Sequence, residues 1–166
     1  MRPPLRQGNP DDFQTPPHAL GPLLPYLNPQ WRIWECASGN ENLVNELRCR
    51  RDFLTWQPRR YDCIITNPPF RYKQEFLERC YQLRKPFALL LPLTTFETTR
   101  RQRLFKRFGI EVIFLNRRIN FQRSTLSPNS CSWFATAWFT ANLQIGTQLS
   151  FETIQRVNHS YTSLSR

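Results

Sequence analysis

At 166 residues, with 40% hydrophobic and 14% aromatic content, the chain has material for one globular domain with its own core and no room for a second. Its formal charge of +11 comes from 23 basic against 12 acidic residues, the basic ones nearly all arginine; this points to a polyanionic partner, with an ordinary solvated surface as the bland alternative. Five cysteines (Cys36, Cys49, Cys63, Cys80, Cys131) form no C-x-x-C pair and only two histidines could assist them, so neither a zinc site nor a disulfide framework is expected.

Residues 1–12 are rich in Pro, Gly, Asn and Asp without periodicity and read as a flexible lead-in. They lack the apolar core of a signal peptide, and no run in the chain approaches the roughly eighteen apolar residues of a membrane span. From Thr15, TPPHALGPLLPYL offers a threonine cap with proline behind it, then apolar residues at helical spacing broken by Gly21, Pro22 and Pro25, which predicts a short, interrupted helix. Apolar runs then alternate with amphipathic ones. WRIWECA, YDCIITN, FALLLPL and EVIFLN read as strands; ENLVNELRCR, KQEFLERCYQL and TTRRQRLFKRF read as helices. The continuously apolar strands predict an α/β fold, with a mostly parallel sheet covered by helices on both faces. SWFATAWFT (132–140) predicts a closing, antiparallel strand, and FETIQRV one more edge strand in a C-terminal extension, residues 141–166. The main domain is expected over 13–140.

The sharpest chemical signal is Asn67-Pro68-Pro69-Phe70, directly after the strand YDCIIT, where ligands sit in open α/β sheets. An aromatic amine is a poor nucleophile because its lone pair is delocalised into the ring. The Asn67 side-chain oxygen and the Pro68 carbonyl can both accept from such an amine, the prolines stiffen the loop and remove a competing donor, and Phe70 offers a face for an extruded base. A rigid proline turn capped by a core phenylalanine would account for the same residues. The second signal is Glu35-Cys36-Ala37-Ser38-Gly39-Asn40, a small-residue turn after the first strand that lets backbone amides approach a ligand. The third is Asp12-Phe13-Gln14-Thr15-Pro16-Pro17, just upstream, which would also serve as a helix cap with proline behind it.

In this order the three segments resemble the S-adenosylmethionine-dependent amino-methyltransferases, whose catalytic tetrapeptide is Asn or Asp, Pro, Pro, then Tyr or Phe. The resemblance extends to about residue 140 and looks most like the short DNA N6-adenine methyltransferases of phages and bacteria. It implies a Rossmann-like methyltransferase sheet and a catalytic set of Asn67, Pro68, Pro69 and Phe70. The implied cofactor-binding set is Phe13, Thr15, Pro16, Glu35, Ala37, Ser38, Gly39, Asn40, Asp52 and Phe53. The implied cofactor is S-adenosylmethionine, the implied partner DNA (RNA less so), and the implied setting the cytoplasm, from a bacterial or phage gene. The tetrapeptide also occurs in methyltransferases of RNA and of glutamine side chains.

Two departures from the family stand out. Glu41 replaces the glycine that would complete Gly-x-Gly. Only residues 40–51 separate Gly39 from Asp52, enough for one helix and not for the second strand that ordinarily carries the ribose-gripping acid about twenty residues beyond the glycine loop. One strand fewer is therefore expected, with a sheet edge left open beside the cofactor site. A catalytically impaired, nucleic-acid-binding remnant is the alternative to an active enzyme. Arg100, Arg101, Arg103, Lys106, Arg107, Arg117 and Arg118 read either as phosphate contacts or as a solvated helix face; recognition is expected from loops, the segment Ser124 to Ser132 first, the alternative being a promiscuous enzyme or one that needs a partner.

Overall fold

The computed structural model describes residues 15–37, 53–121 and 134–154. Six strands form one mixed sheet: β1 (Ile33–Trp34), β2 (Cys63–Thr66), β3 (Phe87–Pro92), β4 (Glu111–Leu115), β5 (Thr136–Ala141) and β6 (Leu149–Glu152), in the spatial order β1-β2-β3-β5-β4-β6. β5 runs antiparallel to both of its neighbours, and the other five strands share one direction. The fold is therefore α/β and mostly parallel, but it does not have the ordinary dinucleotide-binding order, in which the chain reverses beside its first strand. Among the described residues β1 has a neighbour on one side only, and β1, β2 and β3 follow each other without reversal.

Side-chain alternation along the strands builds two cores. On one face Trp34, Ile64, Leu89, Val112 and Phe139 meet α1 (Lys73–Leu83), through Phe76, Leu77 and Cys80, and α2 (Thr99–Phe108), through Phe105. On the other, Ile33, Ile65, Leu90, Ile113 and Trp138 are covered by Ala19 and Leu23 with Ile119, Leu143 and Ile154. Both described α-helices thus lie on one face, whereas helices on both faces were expected; the second face is covered by a 3-10 helix, Pro17–Tyr26. Pro22 and Pro25 lie inside that segment, and proline lacks the N–H and clashes with the preceding turn, so an α-helix cannot run through it. Thr15 does not cap it: the capping position is Pro16, without a side-chain hydrogen bond. Trp138 Nε1 donates to the Ala19 carbonyl at 2.9 Å and fastens this helix to the sheet.

The strand expected to close the sheet is instead inside it. β5 pairs along its whole length with β3, from Phe87↔Ala141 to Pro92↔Thr136, and on its other side with β4. The edge is taken by β6, which pairs parallel with β4 and begins two residues before the predicted run. The predicted helix over 41–50 lies outside the described residues.

Candidate active site

Parallel pairing of Trp34 with Ile64 sets the carboxyl ends of β1 and β2 side by side. The turn that starts at Glu35 therefore leaves the sheet next to the segment that starts at Asn67. Glu35, only 3% exposed, spans this junction. Its Oε1 accepts the Ala37 N–H at 2.9 Å and the Thr66 hydroxyl of β2, while Oε2 is buried without a hydrogen-bond partner. Burial pushes the Glu35 pKa from its ordinary 4.5 up to about 7, against the opposing pull of the hydrogen bonds from Thr66 and Ala37. The group is consequently poised between charged and neutral forms near neutrality.

Beyond Thr66 the chain cannot extend the ladder, because Pro68 and Pro69 have no N–H to give it. Asn67 is half-buried, Pro68 buried, and Pro69 and Phe70 half-buried. Phe70 opens a 3-10 turn, Phe70–Tyr72, that leads straight into α1; the Tyr72 N–H donates to the Pro69 carbonyl at 2.9 Å and Lys73 Nζ to the Phe70 carbonyl at 3.2 Å. The Phe70 ring stands nearly perpendicular to Phe121 and Phe134, with centroids 6.3 and 5.5 Å away, and those two rings stack 6.2 Å apart. Both ends of the segment between Phe121 and Phe134 are therefore gathered at Phe70. The Ser124 to Ser132 stretch expected to carry recognition falls within that segment, outside the described residues.

The remaining expected cofactor residues divide. Ala37 is half-buried beside Glu35, and Thr15 and Pro16 are buried at the start of the 3-10 helix, with the Thr15 hydroxyl lacking a hydrogen-bond partner. Phe53 lies in the core, stacked on Phe76 at 4.6 Å and tilted against Trp34 at 5.1 Å. Phe13, Ser38, Gly39, Asn40, Glu41 and Asp52 lie outside the described residues. Three residues at the site escaped the sequence reading. Thr66 is one polar side chain at the end of an apolar strand, and Phe121 and Phe134 are aromatics on either side of a polar loop.

Cys36, Cys63 and Cys80 are buried free thiols, and burial raises the pKa of each, that of Cys63 to about 12, so none is activated as a nucleophile. Among the described residues no group of His, Cys, Asp and Glu side chains is arranged to hold a metal, and no helix is long and apolar enough to cross a membrane.

The arginines expected on phosphates have mixed settings. Arg101 is buried, its Nε donating to the Thr95 carbonyl at 2.6 Å, and Arg117 donates to the Ile154 carbonyl. Arg100 forms a two-pronged pair with Glu78 at 2.8 and 2.9 Å. Arg103, Lys106, Arg107 and Arg118 are exposed.

Comparison with known protein families finds no match, and comparison with curated proteins finds no significantly similar sequence.

Proposed function

We propose that this protein transfers a methyl group from S-adenosylmethionine to the exocyclic amine of adenine in DNA. The observation that carries the reading is the hydrogen bond from Thr66 to Glu35. It joins the acidic turn after β1 to the strand that ends in Asn67-Pro68-Pro69-Phe70, so residues suited to a cationic cofactor and residues suited to an aromatic amine leave the sheet at neighbouring strand ends. On this reading the sheet is a Rossmann-like methyltransferase sheet short of the strand beyond β1.

The donor set fits the cofactor. The buried Glu35 Oε2, without a hydrogen-bond partner among the described residues, suits a ligand that is cationic at one end. When bound, S-adenosylmethionine supplies an electrophilic methyl group on a positively charged sulfur. The protein's own residues do the positioning. The Asn67 oxygen and the Pro68 carbonyl accept the two amine hydrogens, so the nitrogen lone pair turns out of the ring plane, and Phe70 stacks on the base. With that cofactor held at Glu35, the amine nitrogen would take the methyl group as its bond to sulfur breaks, and the surplus proton would leave for solvent. The rate gain is alignment and electrostatics, without a covalent enzyme adduct.

A second reading, a nucleic-acid-binding remnant that has lost its cofactor, is favoured by one observation: β1 is two residues long and is the outermost described strand.

Asn67→Ala should abolish methylation of adenine-containing DNA and leave melting temperature and DNA binding unchanged; persistent transfer would remove Asn67 from the mechanism. Calorimetric titration with S-adenosylmethionine separates the two readings, with Asp52→Ala as the control. Micromolar binding that weakens in the variant supports the enzyme, and no binding at millimolar cofactor supports the remnant.

A further inference from the structure

The opposite end of the sheet carries a second concentration of functional groups. Arg32 stands immediately before β1, Arg59, Arg60, Tyr61 and Asp62 immediately before β2, and Lys85 two residues before β3. Because β1, β2 and β3 are parallel neighbours, these amino ends converge at one end of the sheet, where they line an open cleft of about 330 Å³. Asp62 is the one carboxylate in that lining. Its Oδ2 accepts from the Arg32 backbone N–H at 2.9 Å and from Arg32 Nε at 3.3 Å, which ties β2 to β1, and Lys85 acts on the same charge from further off.

Arg59, Arg60 and Lys85 are exposed, and among the described residues none of them has a carboxylate within ion-pair distance. Lys85 Nζ lies 5.9 Å from the centroid of the Tyr61 ring, which is itself 7% exposed and packed in the core, so the ammonium is held over a rigid face. Arg79 of α1 adds a cation behind the rim, its Nη2 donating to Gln57 of the lining at 3.4 Å. Such a one-sided set of charges on the walls of a cleft concentrates field on an anion.

The length of the row favours an anion that carries more than one charge. Neighbouring strands are about 4.8 Å apart, so three strand starts span about 10 Å. A row of that length, with exposed cations before β2 and β3, can meet more than one phosphate of a nucleic-acid strand. The buried Tyr61 leaves the lining without an exposed aromatic face for base stacking, which makes the cleft a reader of backbone and not of bases.

We propose that this cleft grips the phosphate backbone of a nucleic acid, at the end of the sheet opposite the one that bears Asn67. The inference rests on the nucleic-acid part of the function proposed above and is independent of methyl transfer. It gives a flanking stretch of the bound molecule an anchor that the α2 arginines do not supply.

The test measures binding of the full chain to a labelled DNA duplex by fluorescence anisotropy across a salt series, without cofactor. The triple variant Arg59→Ala/Arg60→Ala/Lys85→Ala is compared with Arg103→Ala/Lys106→Ala/Arg107→Ala, which removes the same charge from the exposed face of α2. The slope of log affinity against log salt should fall by about 2–3 in the cleft variant, at about 0.9 per lost contact. The fall in the α2 variant should be smaller. An unchanged slope in the cleft variant, or an equal fall in both, overturns the inference while leaving DNA binding itself intact. A wild-type chain that binds no nucleic acid overturns the partner assignment as well.

A footprint on the wild-type protein gives an answer that does not depend on any variant folding. The chain has three lysines, Lys73, Lys85 and Lys106, whose acetylation can be followed by mass spectrometry. Bound DNA should protect Lys85. Equal labelling of Lys85 with and without DNA, or protection by inorganic pyrophosphate and not by DNA, refutes the backbone site.

Discussion

Replacing Glu35 by Gln tests the junction between β1 and β2 with a quantity that can be worked out in advance. In the folded chain burial raises the carboxyl pKa from 4.5 to about 7, whereas in the unfolded chain it returns to the ordinary value. Between these two values the folded state holds a proton that the unfolded state has released, so folding stability falls as pH rises. At about 1.4 kcal/mol for each pH unit the loss amounts to about 3 kcal/mol, complete above the folded pKa and absent below the unfolded one. Glutamine keeps an oxygen for the Ala37 N–H and the Thr66 hydroxyl but cannot ionise. Unfolding free energies from urea titrations of both proteins, taken from about pH 4.5 to about pH 8.5, should show the wild type losing about 3 kcal/mol relative to Glu35→Gln. His18, whose pKa is lowered by burial and by Arg117, contributes in the opposite direction and cancels in that difference. Parallel pH profiles for the two proteins would refute the claim that burial raises the Glu35 pKa.

The same carboxyl makes a prediction for the proposed cofactor. If a cationic ligand takes the ionised form, S-adenosylmethionine affinity should rise about tenfold per pH unit up to about pH 7 and then level off, with Glu35→Gln flat throughout; calorimetry in two buffers reads the accompanying proton release. Phe53→Ala should cost about 3–5 kcal/mol in urea unfolding because its ring fills the core between Trp34 and Phe76, and a loss below about 0.5 kcal/mol would place that ring outside the core. Gly109 ends α2 at φ +79° and ψ 162°, a region glycine alone occupies freely, and no heavy atom lies within 4 Å of an added Cβ. Gly109→Ala should therefore lose about 1–3 kcal/mol from the backbone alone, and an unaffected melting curve would contradict it. Arg84 ends α1 in the left-handed region at φ 54°, so Arg84→Gly should raise stability by about 1 kcal/mol, read by the same melts.

Elements with a strong local period were legible. The run KQEFLERCYQL forms α1 with its predicted bounds, and α2, β2, β3 and β4 lie within one or two residues of theirs, because amphipathic spacing and two-sided burial leave a mark on neighbouring residues. The proline-broken segment was legible as interrupted but not as ten residues of 3-10 helix, since the choice depends on how Ala19 and Leu23 meet the sheet. The place of β5 was not legible at all. Its aromatic, small-residue composition marks a strand, but nothing local says that it will be inserted between β3 and β4, because strand order is set by packing between residues far apart in the chain.

The site divides along the same line. Asn67-Pro68-Pro69-Phe70 at the end of a buried strand, the acidic turn at Glu35 and the basic balance of the chain were determined by sequence alone, because each is a statement about residue types at short spacing. Only the tertiary structure decided that Glu35 would reach Thr66 across two strands, that Phe121 and Phe134 would close on Phe70, and that Arg101 and Arg117 would be occupied by backbone carbonyls. It also decided that Arg32, Arg59, Arg60 and Lys85 would meet in one cleft. The physical reason is common to all of these. A side chain's burial and partners, and with them its charge state, depend on which strands become neighbours, and that depends on the packing of the whole sheet.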